Sequence, residues 1–180
     1  SQYMLGVYNY TVILTYIGML TGFTGITCAI HNDLKGALIC LMIAGVCDMF
    51  DGKIASTMER TREEERFGIQ IDSFSDLICF GMLPAVIVYS MNRDHRIVIL
   101  VCAFYVLCAL IRLAYVSVDE QERQQHSDGP REFYLGMPVT LSALLVPLVY
   151  SVFGILSRRP DIALTVAIVI MAVLFLVPVH

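Results

Sequence analysis

Four aspartates lie at the edges of two apolar runs: Asp48 and Asp51 close one, and Asp72 and Asp76 open the next. Bringing a carboxylate to the border of hydrocarbon is costly, and four together repel one another unless cations neutralise them. Helical spacing gathers them. Asp48 and Asp51 are three positions apart, so they differ by about 60° around a helix axis and by about 4.5 Å along it. Asp72 and Asp76 are four apart on one face, and Gly68 completes that face one turn earlier, as Ala55 does for Asp51. Such a cluster is either a divalent-metal site or an ion path. Hard oxygen ligands with no His or Cys among them suit Mg²⁺, Mn²⁺ or Ca²⁺. Four carboxylates can hold two such ions about 3.5–4 Å apart, which cancels the charge. Gly52, Ala55 and Gly68 leave room for something flat and large against the helix backbones. Two metals beside a wall of small residues imply a phosphate ester or anhydride that carries a planar base.

The elements that must position these acids are membrane spans. The chain has 180 residues, 57% of them apolar, and a mean hydropathy of +0.72, which no ordinary soluble domain shows. Tyr10–Ile30 carries no charge and is long enough to cross a bilayer. With their polar ends included, the apolar runs give six spans, approximately 9–30, 34–56, 67–91, 96–117, 133–156 and 160–179. Short connections make consecutive spans antiparallel neighbours. The expectation is one all-α membrane domain over 1–180, a six-helix bundle with a polar metal and nucleotide cavity at the cytoplasmic side. Pro84, Pro138 and Pro147 fall inside spans, where neighbours must satisfy the carbonyls they free. Glu59–Arg66 reads as a solvated extension of helix ends, and Asp119–Glu132, with its Asp-Gly-Pro turn, reads as a mobile loop on the side of the aspartates.

Other residue types say less. The net charge is −4 and no basic patch is present, so nothing points to nucleic acid. All six cysteines lie inside apolar runs without a Cys-x-x-Cys pair and read as small core residues. The histidines show no metal-ligand spacing. Orientation is nearly balanced: Arg60, Arg62, Arg66, Arg123 and Arg131 on the aspartate side face Lys35, Arg93, Arg96, Arg158 and Arg159 on the other. Lys53 and Arg112 tip the aspartate side toward the cytoplasm.

Asp48-x-x-Asp51-Gly52-x-x-Ala55 followed by Gly68-x-x-x-Asp72-x-x-x-Asp76 resembles the signature of the CDP-alcohol phosphotransferases. That family's six-helix architecture would cover the whole chain. Within it, Asp72–Ala85 (DSFSDLICFGMLPA), Ala109–Ala114 (ALIRLA) and Leu135–Thr140 (LGMPVT) are similar to the phosphatidylserine synthases. The resemblance implies transfer of a phosphatidyl group from CDP-diacylglycerol to the hydroxyl of L-serine, with release of CMP, using two divalent cations, Mg²⁺ or Mn²⁺. It assigns Asp48, Asp51 and Asp72 to metal, and Asp76 to metal and to removal of the serine proton. It further implies a homodimer; the expected location is the cell membrane, with the active site on the cytoplasmic side toward which Lys53 and Arg112 lean. The same chemistry on inositol, inositol phosphate or glycerol phosphate is the nearest alternative, and a cation transporter or channel is the alternative of another class. Span-end acids flanked by glycines favour the enzyme.

The chain departs from the family pattern at two points. Ser56 stands where the pattern has an arginine associated with the substrate's phosphates, and the segment from Ser56 to Gly68 is longer than the pattern's. Gly52, Lys53, Ala55, Ser56 and Gly68 are the candidate nucleotide and diphosphate contacts, with Lys53, Arg60 or Arg62 able to supply the missing charge. Arg112 interrupts an apolar run and is the candidate for the acceptor's carboxylate. Ser73 and Ser75 neighbour the acids, and Thr11, Thr15 and Tyr16 on the first span are candidate lining of the nucleotide pocket.

Overall fold

In the computed structural model, which describes residues 4–126, 137–156 and 159–178, polar residues at the ends of the apolar runs set where helices begin. The Asn9 side chain accepts from the Thr11 amide at 3.0 Å and opens α1, Tyr10–Ile30. The chain reverses at His31–Asp33, with Asn32 at a φ of 63°. The Asp33 carboxylate then caps α2, Leu34–Ala55, by accepting from the Gly36 amide at 3.0 Å. Thr61 caps α3, Arg62–Met91, and Glu63, Glu64 and Glu65 place negative charge at the positive end of its dipole. Next come α4, Ile97–His126, α5, Val139–Ile155, and α6, Pro160–Leu176. Pro160 begins α6, where its fixed φ and missing N–H do no harm.

These helices form the expected all-α bundle, and no strand occurs among the described residues. Among the described residues, three helical stretches are long and apolar enough to cross a membrane: Tyr10–Ile30, Arg62–Met91 and Ile97–Arg123. α5 and α6 are shorter apolar helices. Large apolar side chains such as Leu20, Phe23, Leu100, Leu107 and Leu144 face outward, as lipid contact requires.

Two expectations need correction. The segment from Asp119 is no loop as far as it is described, since α4 continues to His126. Its Glu, Gln and Arg residues are good helix formers, and Glu120 and Arg123 pair one turn apart at 2.7 Å. Residues 127–136, including the Asp-Gly-Pro turn, Arg131 and the expected start of the fifth span, lie outside the described residues, as does Arg158. Pro138 does not interrupt a helix. It precedes a tight 3₁₀ turn, Val139–Leu141, at the start of α5.

Close approach of α1 to its neighbours fixes the acid-bearing helices. A Cβ on Gly18 would stand 3.3 Å from Cys47 Cβ, and one on Gly22 would stand 2.6 Å from Cys79 Sγ. Both glycines therefore let α2 and α3 pack against the α1 backbone, the small-residue packing that holds helices together in lipid. Cys79 Sγ donates to the Gly18 carbonyl at 3.2 Å across that contact. At the acid-bearing end, Asn9 Nδ2 donates to Glu64 Oε2 at 3.1 Å and ties the start of α1 to the start of α3.

Directly after Asp76, α3 changes register: Leu77–Met82 is π-helical before the α-helix resumes at Leu83. Pro84 follows. It has no N–H, so in α register the Phe80 carbonyl, four residues back, loses its donor. Tyr105 of α4, fully buried, donates to that carbonyl at 2.7 Å, and Ser142 Oγ of α5 lies 3.5 Å from it. The neighbours thus satisfy what the proline frees. Tyr105→Phe is expected to lower stability by about 1–2 kcal/mol, the cost of a buried carbonyl left without a donor. Thermal unfolding in detergent measures this, and in a Pro84→Ala background the cost should shrink. Equal costs in both backgrounds would disconnect Tyr105 from the proline.

Candidate active site

The last turns of α2 and the first half of α3 wall a cavity of about 370 Å³. Gly52 and Ala55 of α2, Gly68, Asp72, Ser73 and Asp76 of α3, and Arg60 from the intervening turn line it. α4 closes it with Leu113, Val116, Ser117 and Glu120. The spacing explains the α3 wall: Gly68, Asp72 and Asp76 recur every four residues and share a face. Before Gly52 there is open space, since a Cβ there would meet nothing within 4 Å. The three small residues therefore share this cavity with Asp72 and Asp76, while Asp48 and Asp51 line a smaller pocket beside Thr15 that has Asp76 in common with it.

The four carboxylates sit in mutual reach. Asp51 feels Asp72 and Asp48, and Asp76 feels all three of the others, Asp48 most strongly. Asp51 is 7% exposed, and the other three are half-buried. Hydroxyls hold them. Thr15 Oγ1 of α1 lies 2.8 Å from Asp72 Oδ1 and 3.1 Å from Asp51 Oδ2, and Thr140 Oγ1 donates to Asp48 Oδ2 at 2.7 Å. A threonine hydroxyl has one proton, so Thr15 serves two carboxylates with a single donor. Arg60 is the cation within electrostatic reach of Asp72. Among the described residues, one guanidinium and two hydroxyls stand against these four acids.

A hard divalent cation fits that donor set, which offers carboxylate oxygens and hydroxyls and no His or thiol. Among the described residues, however, no three His, Cys, Asp or Glu side chains stand in the arrangement of a closed metal cage. The acids converge without being locked around a point.

Not every residue singled out in the sequence reaches the cavity. Lys53 is exposed and stands 5.4 Å from the Phe50 ring centroid, away from the lining. Ser56 ends α2 and donates to the Lys53 carbonyl at 2.7 Å. Ser75 is buried beside Cys79. Thr11 donates to its own N-cap, Asn9, and Tyr16 to the Val7 carbonyl at 2.6 Å. Arg112, 8% exposed, lines a separate cavity of about 270 Å³ with Tyr115 and Phe175. Arg60 is the member of the lengthened segment that arrives. Thr140 went unassigned, although it closes the LGMPVT stretch, and so did Glu65, Ser117 and Glu120, which carry no motif.

A helical membrane bundle whose second and third helices bring paired acids and small residues together at one end defines a class of protein. The family model for CDP-alcohol phosphatidyltransferases matches residues 8–178, and the chain belongs to that family. Among curated relatives, it is 28% identical over 147 residues to a CDP-diacylglycerol–serine O-phosphatidyltransferase of Mycobacterium tuberculosis, covering 81% of this chain and 48% of the relative. It is 31% identical to the protein of that name from Saccharomyces cerevisiae, covering 76% and 53%. It is 30% identical to an archaetidylserine synthase of Methanothermobacter thermautotrophicus, covering 77% and 56%. The chain spans about half the length of these relatives. No solved structure matches it.

Proposed function

We propose that the chain transfers the phosphatidyl group of CDP-diacylglycerol to the hydroxyl of L-serine, giving phosphatidylserine and CMP. The observation that carries this reading is the convergence of two helices: Asp72 and Asp76 share one cavity with Gly52, Ala55 and Gly68, and Asp48 and Asp51 line the small pocket that has Asp76 in common with it. The names of its relatives support serine as acceptor. Asp48, Asp51, Asp72 and Asp76 are the proposed ligands of two Mg²⁺ or Mn²⁺ ions. When bound, such ions withdraw charge from a diphosphate and stabilise the leaving phosphate.

The chain's own groups do the rest. Gly52, Ala55 and Gly68 let the nucleotide lie against helix backbone. Asp76 takes the proton from the serine hydroxyl as its oxygen attacks phosphorus, and the bond from phosphorus to the CMP oxygen breaks. Thr15 and Thr140 hold their carboxylates in place through that step. For the acceptor's carboxylate the proposed partner is Arg112, which opens on the separate cavity beside Tyr115 but lies one helical turn from Val116 of the active-site wall, so the acceptor would have to bind between the two spaces. The site faces the cytoplasm of the cell membrane, and the working unit is a homodimer.

The test is one labelled-acceptor panel. Purified protein in lipid nanodiscs receives CDP-diacylglycerol with labelled serine, inositol, inositol phosphate or glycerol phosphate, with Mn²⁺ or with a chelator. Labelled lipid is expected from serine alone, and only with the cation. Product from another acceptor would transfer the same chemistry to that alcohol. Absence of CMP release with every acceptor would remove the enzyme reading.

A further inference from the structure

Arg60 has no place in the family signature, yet it lines the cavity. It sits half-buried in the turn between α2 and α3. Its Nη1 lies 3.0 Å from where a Cβ on Gly68 would stand, so the guanidinium rests on bare backbone. A side chain at 68 would have to displace it. Its charge reaches Asp72, while among the described residues no hydrogen bond or ion pair pins it. Five N–H donors are therefore carried to a space whose other charged lining is all acidic, Glu65, Asp72, Asp76 and Glu120.

Such a cavity repels any anion, yet a nucleotide-activated lipid enters with a diphosphate. The geometry points to Arg60 as the residue that grips this diphosphate, doing so from the lengthened turn because position 56 carries a serine. The assignment rests on the proposed function. Three features carry it. Arg60 is in the lining, whereas Lys53 is exposed over Phe50 and Ser56 is turned back on its own helix. The planar fork of a guanidinium matches phosphate oxygens two at a time. Gly52, which shares the lining, has open space before it where a phosphate group can stand.

The test compares Arg60→Ala, Arg60→Lys and, as a charge control, exposed Arg66→Ala, all in nanodiscs with Mn²⁺. CDP binding is read by equilibrium dialysis, and the KM values for CDP-diacylglycerol and serine by CMP release. Arg60→Ala should weaken CDP binding and raise the KM for the lipid by ~10–100-fold, as loss of a charge-assisted phosphate contact does. The KM for serine should stay within about twofold, because a phosphate contact on one substrate is uniform binding for that substrate alone. Arg60→Lys should recover only part of the affinity, a point charge replacing a fork. Arg66→Ala should leave both constants unchanged.

Equal increases in the two KM values, or none, would overturn the assignment and leave Arg60 as a structural partner of Asp72. Failure of the wild-type protein to bind CDP or release CMP would strike the proposed function instead, so the two failures are distinct. Circular dichroism melts of each variant separate loss of binding from loss of fold.

Discussion

Replacing Asp76 with asparagine is expected to cut CMP release by about 10³-fold or more, the scale of removing a positioned general base. Asparagine keeps the shape, so the helix and its π-helical turn should persist. What it loses is the negative charge and the ability to take a proton. Nucleotide binding should remain detectable, because Gly52, Ala55, Gly68 and Arg60 are untouched. The two proposed roles of Asp76 separate in a Mn²⁺ titration. If the residue only holds metal, raising the cation should restore turnover; if it is also the base, the deficit persists at saturation. Unchanged turnover in the variant would take Asp76 out of the chemistry.

Spacing along one helix is legible in a sequence, whereas contacts between helices are not. The acid pairs with Gly68 and Ala55 were readable because i, i+3 and i+4 positions share a face; the cavity takes Gly68, Asp72, Asp76 and Ala55 from those positions, and the pocket beside it takes Asp48 and Asp51. The same rule already warned about Lys53. It lies two residues after Asp51, about 200° around the axis, and it points to the outside over Phe50. Thr15 and Thr140 were harder to place. Each is a single hydroxyl in an apolar run, and only the packing of α1 and α5 against the acid-bearing helices gives it a carboxylate. The end of α4 was misjudged for a different reason. Hydropathy falls at Ser117, but helix propensity does not, so the helix outlives the apolar run and delivers Glu120 to the cavity.

Register was equally hidden. Asp76 is followed by a π-helical stretch, so ordinary α periodicity fails between the acids and Pro84. The break has a use that belongs to packing and chemistry at once. It lets the proline-bearing half of α3 hand its Phe80 carbonyl to Tyr105, while the acid-bearing half keeps its face toward α2 and α4.

The deepest dependence of the site falls on Thr15. Its side chain is 5% exposed, and its one hydroxyl stands between Asp72 at 2.8 Å and Asp51 at 3.1 Å, so it sets the spacing of acids from two different helices. Thr15→Val keeps the branched shape and removes only the donor. Loss of an outer hydrogen bond of this kind typically costs 10–100-fold in metal affinity or activity, so the Mn²⁺ dependence of CMP release should shift by ~10–100-fold. Stability should report the same defect with a condition attached. Without added cation, the variant removes the one donor that the two carboxylates share and should lose about 1–3 kcal/mol. With saturating Mn²⁺ the gap should narrow, since a ligand that binds the folded state stabilises it in proportion to its occupancy. Thr15→Ser keeps the hydroxyl and should behave like the wild type in both assays. A valine variant with wild-type Mn²⁺ dependence would mean that the acids hold their positions without help from α1, and the packing of its glycines against α2 and α3 would then need another purpose.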